Sequence, residues 1–159
     1  MTASNTISAT SRVWIYQSSK PFPKEEIIAL NLRIQSFCKS WVSHSNQLKA
    51  SGSIYYDRFI VLMVDESQAG ASGCSIDKST HFIQSLEREY GVDMFDRMNF
   101  AYLDGDTVKT AYREEFMELY KNGSITDETL VFDNLVKTKA AFDTAWKMPL
   151  SSSWHKKLM

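Results

Sequence analysis

Residues 58–64 read Arg-Phe-Ile-Val-Leu-Met-Val. Six consecutive apolar side chains describe a strand covered on both faces, since a half-buried strand would alternate apolar with polar residues. The strand is therefore central in its sheet. Just before it, Lys49 to Tyr56 forms a second strand, and the two hinge near Asp57.

Working outward on the N-terminal side, Arg12 to Gln17 (RVWIYQ) is β-branched and aromatic and ends at Ser18-Ser19-Lys20-Pro21, where proline stops the ladder. Pro23 suits a first helical position, and Glu25 and Glu26 place negative charge at the positive end of the helix dipole. Ile27, Leu30, Ile34, Phe37 and Trp41 then recur at spacings of three and four, the stripe of an amphipathic helix running to about Ser43. Cys38 lies beside that stripe and reads as a small buried apolar residue. Residues 1–11 carry six Ser or Thr and one large aliphatic, Ile7, which predicts a loose, disordered tail.

On the C-terminal side, a loop of small residues from Asp65 leads into a helix with Ile76, Phe82, Ile83, Leu86 and Tyr90 facing the core and Gly91 as its stop. Met98 to Leu103 is another strand. The order strand, helix, strand, strand, helix, strand over residues 12–103 is the split βαβ arrangement of ferredoxin-like domains. Beyond it, Asp104-Gly105-Asp106 turns a hairpin, Glu114 to Lys121 forms a helix ending at Asn122-Gly123, and residues 133–143 predict one helix more. The expected fold is α+β: a ferredoxin-like core, with a smaller hairpin-helix-strand half (residues 104–159) packed on it.

The chain has 159 residues, 18 Lys and Arg against 19 Asp and Glu, and 43% hydrophobic residues, the composition of a soluble domain or of two small ones sharing a core. A net charge of −1 removes the strongest electrostatic reason to expect nucleic acid as a partner, although a local basic patch is compatible with an even balance. No stretch reaches the roughly 18 apolar residues of a membrane span, and the start lacks the apolar run of a secretory signal, so the expected location is the cytoplasm. Two cysteines make neither a disulfide framework nor a zinc site by themselves.

The most informative segment for chemistry is residues 65–79, D-E-S-Q-A-G-A-S-G-C-S-I-D-K-S. A central strand delivers it to a helix N-terminus, where free N–H groups and the positive dipole end favour anions. Gly70 and Gly73 would allow close backbone approach, and Ser67, Ser72, Ser75 and Lys78 add donors, so a phosphate or carboxylate is the expected ligand. The alternative is a small-residue loop in which Ser75 or Asp77 only caps the helix. The Walker A pattern G-x-x-x-x-G-K-[ST] does not occur, which removes an ATPase reading on that motif.

Cys74 sits within a turn of the same helix start, where a thiolate is stabilised, and it is the candidate nucleophile. His44, His81 and His155 are the available bases, each of them expected as a solvated surface ring. Asp77 and His81 share a helix face at a spacing of four, an arrangement common by accident among so many carboxylates. No metal and no cofactor is expected.

Residues 104–149 resemble the GYF-2 type of small domain in Gly123, Ile125, Glu128, Thr129, Leu130, Val131 and Phe132, with Trp146 and Pro149 near the close. The resemblance implies an aromatic surface for extended, proline-rich segments, with Phe132 and Trp146 as interaction residues. From about Val13 to Leu158 the chain also resembles short Bacteroidetes proteins, some labelled ATPases of ABC transporters, through V-W-I-Y-Q-S-S, the residue 64–79 stretch, Y-G-V-D-M-F-D-R and the S-W-H ending. That resemblance names no activity. The expected function is a non-enzymatic binding protein for a small anionic ligand or a protein segment. The alternative is a thiol-dependent hydrolase or transferase using Cys74, with His44 or His155 as base.

Overall fold

The computed structural model of the chain describes residues 7–67 and 69–159. Strand β1 (Arg12–Gln17) leads through a 3-10 turn at Lys24–Glu26 into helix α1 (Ile27–Ser40). A two-residue hairpin follows, β2 (Val42–Ser43) and β3 (Asn46–Gln47), with His44 and Ser45 at φ of 50° and 71°. Next come β4 (Lys49–Tyr55) and β5 (Phe59–Asp65), joined through Tyr56 and Asp57, both at φ 54°; two successive positive φ values match the right-handed twist of a hairpin. Helix α2 (Gly73–Tyr90) ends at Gly91, whose φ of 62° is the left-handed cap that glycine adopts without strain. The second half holds β6 (Asn99–Asp104), β7 (Thr107–Tyr112), α3 (Arg113–Lys121), β8 (Leu130–Phe132), α4 (Lys139–Ala145) and β9 (Lys147–Pro149), then two 3-10 turns at Leu150–Ser152 and Trp154–Leu158.

The class is α+β, and the first sheet runs β1-β5-β4 with every pairing antiparallel. All seven residues of β5 are buried. Their alternation sends Ile60, Leu62 and Val64 toward Leu30, Ile34 and Cys38 of α1 and Ile83 and Leu86 of α2. Phe59, Val61 and Met63 point the other way, into a core with Ala101, Phe132, Phe142 and Trp146. A third core, Phe100, Tyr102, Phe116, Val131 and Leu150, lies beyond the second sheet. Helices α1 and α2, sheet, sheet, and then α3 with the C-terminal turns therefore stack as four layers, and β5 is central both within its sheet and between layers.

The order β1-β5-β4 is that of a split βαβ unit. The expected fourth strand departs from it: β6 joins β7, β8 and β9 in a second sheet of order β7-β6-β8-β9. The open edge of β1 is covered instead by residues before α4. Val13 N donates to Lys137 O at 3.0 Å, and Arg12 bridges to Thr138. That contact takes the place where β6 would have paired.

The disordered-tail expectation is corrected for residues 7–11: Ile7 is buried in the inter-sheet core, and the carbonyls of Ala9 and Ser11 accept from the first amides of α4, Ala140 and Lys139. Residues 1–6 lie outside the described residues. On the far edge of the first sheet, Gln35 Nε2 donates to Gly52 O at 2.8 Å, so α1 covers part of the ladder β4 leaves open. No helix among the described residues is long and apolar enough to cross a membrane.

Candidate functional site

The loop after β5 directs its donors at its own residues. Ser67 N donates to Asp65 Oδ1 at 3.0 Å, and Ala71 N to Glu66 Oε2 at 2.9 Å. The Ser67 backbone and hydroxyl, with Lys49 beyond them, hold the Asp65 carboxyl below the usual carboxylate range. Ser72 and Ser75 form a reciprocal capping box: Ser75 N donates to Ser72 Oγ and Ser72 N to Ser75 Oγ, at 3.3 and 2.6 Å. A side chain on Gly70 would meet Glu66 Oε2 at 3.1 Å, so the glycine there accommodates the chain's own carboxylate. Gly73, Cys74 and Lys78 remain exposed at the start of α2. Gln68 lies outside the described residues.

Cys74 is solvent-facing, and no hydrogen bond joins its sulfur to a histidine among the described residues. His81 stands two turns further along α2, roughly 11 Å away along the axis. His44 is exposed on the β2–β3 turn. His155 is not the surface ring expected: it is 2% exposed, stacked on Trp154 at 3.8 Å and edge-on to Phe100 at 4.9 Å. Asp77 and His81 are exposed, and among the described residues no group of three His, Cys, Asp or Glu is placed to hold a metal.

Phe132 and Trp146 are 1% and 3% exposed, which corrects their reading as surface interaction residues. Their rings lie 4.8 Å apart and pack against Phe59 of β5 at 4.9 and 5.0 Å. The aromatic character that suggested a peptide surface belongs to the seam between the two sheets.

At the end of that seam the layers separate around a cavity of about 330 Å³. Its walls come from β1 (Ile15, Tyr16, Gln17), the α2–β6 connection (Met94–Met98), β6 (Asn99–Ala101), the end of β8 with the residues after it (Phe132, Asn134, Leu135) and the C-terminal turn (Trp154, His155).

A polar chain fixes one wall. Trp146 Nε1 donates to Asn134 Oδ1 at 2.9 Å, Asn134 Nδ2 to Gln17 Oε1 at 2.9 Å, and Gln17 Nε2 to Asn99 O at 2.6 Å. The rim segment is also built. Asp93 and Asp96 accept from the backbone two residues on, at Phe95 N and Met98 N, two successive Asx turns that present Phe95, Arg97 and Met98 outward. The Asp96 carboxylate beside Tyr112 raises the pKa of that phenol.

His155 forms part of the opposite wall. Ser153 Oγ lies 2.5 Å from its Nδ1, while Nε2 has no hydrogen-bond partner among the described residues. Burial pushes the imidazole down to about 4, with Asp133 pulling weakly the other way, so the ring is neutral at pH 7. No family model, curated protein or solved structure matches the chain.

Gln17, Arg97, Asn134 and His155 were not singled out for this role in the sequence, because they lie on four segments that only the tertiary fold joins. One signal was present: Gln17 directly follows the apolar and aromatic run Val13 to Tyr16, and an amide buried with such a run needs partners.

Proposed function

We propose that this chain is a non-enzymatic binding protein that holds a small ligand in the cavity between β1 and β6. The carrying observation is a pocket of ligand size with a mostly aromatic and aliphatic lining and a few polar groups fixed by bonds within the chain, Gln17, Asn134 and the His155 imidazole among them. The wall is pre-formed, since Gln17, Asn134 and the Asx turns are held by bonds internal to the chain, and binding would require little ordering. The loop at residues 65–79 supports the reading less strongly, because its own carboxylates and capping hydroxyls take much of its donor capacity.

Amide-resolved NMR titration with a library of small aromatic and carboxylated compounds tests this. Saturable shifts confined to residues 15–17, 94–101, 134–135 and 154–155 are expected. A library in which every saturable shift falls elsewhere, on Gly73 to Lys78 for instance, would move the site to the loop. The exposure of Cys74 at the start of α2 favours one second reading, the thiol-dependent hydrolase or transferase. Its test is turnover of activated esters by the wild type against Cys74→Ser. Equal rates would end it.

A further inference from the structure

We propose that the cavity selects a flat, one- or two-ring monoanion with a hydrogen-bond acceptor on the end of the ring system remote from its carboxylate. This rests on the reading of the cavity as a binding site and adds the class of ligand.

The buried end of the pocket offers donors. Ser153 Oγ lies 2.5 Å from Nδ1 of His155, and we assign the hydroxyl as the donor in that pair. That assignment leaves the proton of the neutral ring on Nε2, the nitrogen without a partner. In Gln17 and Asn134, the carbonyl oxygens are taken by Asn134 Nδ2 and Trp146 Nε1, and one N–H of each amide group is used. The second N–H of each is not. Gln17, Asn134 and His155 thus have N–H groups to spare, so a guest that offers an acceptor beside them fits, and one that presents only donors there leaves N–H groups facing N–H groups.

At the mouth the charge balance is uneven. Asp96 accepts from Met98 N, whereas Arg97 is exposed and belongs to none of the ion pairs among the described residues. A guanidinium with no ion-pair partner, on a rim that also carries Phe95, Met98, Leu135 and Asp96, whose carboxylate is turned to its own backbone at Met98 N, suits a carboxylate that remains at the entrance while its ring enters. The ring itself is called for by the walls, where Phe100 and Trp154 offer aromatic surface, and by a volume at the small end of the range for ligand pockets.

The test uses the full chain and three probes: quinoline-6-carboxylate, naphthalene-2-carboxylate, which lacks the ring nitrogen, and quinoline-6-carboxamide, which lacks the charge. Calorimetry gives the affinities, and amide NMR reports where each probe sits. The quinoline carboxylate is expected to bind about tenfold more tightly than the naphthoate, the worth of one buried hydrogen bond, and several-fold more tightly than the amide. Arg97→Gln, an exposed position that leaves the fold alone, should abolish the preference for carboxylate over amide while the amide still binds. His155→Phe should abolish the preference for quinoline over naphthalene, and Arg97→Gln keeps the proposal testable if that core variant does not fold. Cavity shifts with the amide binding as tightly as the carboxylate, or with Arg97→Gln unchanged in preference, would overturn the ligand class and leave the cavity as a site. The absence of cavity shifts with all three probes would overturn this ligand class, whereas loss of the site itself is read from the wider library.

Discussion

The side-chain amide of Gln17, the last residue of β1, donates to the carbonyl of Asn99, the first residue of β6, at 2.6 Å. The two strands belong to different sheets, so this bond spans a boundary that no backbone ladder crosses at that point. It also orients Asn134, through the Gln17 carbonyl oxygen, and so shapes the cavity wall.

Gln17→Leu is therefore expected to destabilise the chain by about 1–3 kcal/mol, because Asn99 O and an Asn134 N–H lose their partners while the side chain stays similar in size. Urea unfolding should show a lower midpoint at unchanged slope. A midpoint equal to that of the wild type would mean that the amide chain is not holding the two sheets.

A close approach on the other face gives a second expectation. A methyl group on Gly52 would lie 2.5 Å from Ile34 Cγ2 and 3.1 Å from both Cys38 Sγ and Leu62 Cδ2, so α1 rests on β4 where a side chain is missing. Gly52→Ala should cost about 1–3 kcal/mol by overpacking. In an Ile34→Ala background the same substitution should cost far less, since the obstructing methyl is gone. Additive thermal shifts for the two changes would refute the contact as the cause.

How much of this could be read from the chain depends on how local the information is. The unbroken apolar run at Phe59–Val64 identified the central strand, and Gly91 identified the end of α2, because each signal lies within a few residues of the feature it determines. The location of β6 was not readable in the same way. Its apolar residues suit either sheet, and the choice was settled by Lys137 and Thr138, some forty residues on, which occupy the edge of β1. Phe132 and Trp146 show a related limit: an aromatic residue reads alike whether it forms a surface or fills a seam. In the candidate site, Cys74 and the loop serines stood out because special residues cluster there, whereas the cavity draws ordinary residues from five separate segments.

The two cysteines should separate cleanly in a labelling experiment. Cys38 is buried among Ile34, Leu62 and Trp41, and desolvation pushes its thiol up to about 12, while Cys74 is open to solvent. Brief treatment of the native protein with iodoacetamide at neutral pH should give a single adduct, located on Cys74 by peptide mass spectrometry, and denaturant should add a second on Cys38. The slow modification of Cys38 should track global unfolding, because its reaction requires the core between α1 and the first sheet to open. Modification of Cys38 at a rate comparable to Cys74 in native buffer would show that this core is loose.

His155 makes stability depend on pH in a window set by its own titration. Its ordinary value of 6.5 falls to about 4 in the folded chain, chiefly through burial, so between those limits the unfolded state binds a proton that the folded state excludes. Protonation then favours unfolding: the contribution is present in full above pH 6.5 and is lost as the pH falls toward 4. For a side chain 2% exposed the whole effect amounts to about 3 kcal/mol. Replacing the imidazole by a ring that does not titrate isolates this from the carboxylates, which are common to both proteins. In urea titrations at pH 7 and pH 4.5, the wild type should lose roughly 2 kcal/mol more than His155→Phe. Parallel losses in the two proteins would mean that His155 takes up its proton in the folded state, and that the wall of the cavity is wetter and more open than its packing against Phe100 and Trp154 implies.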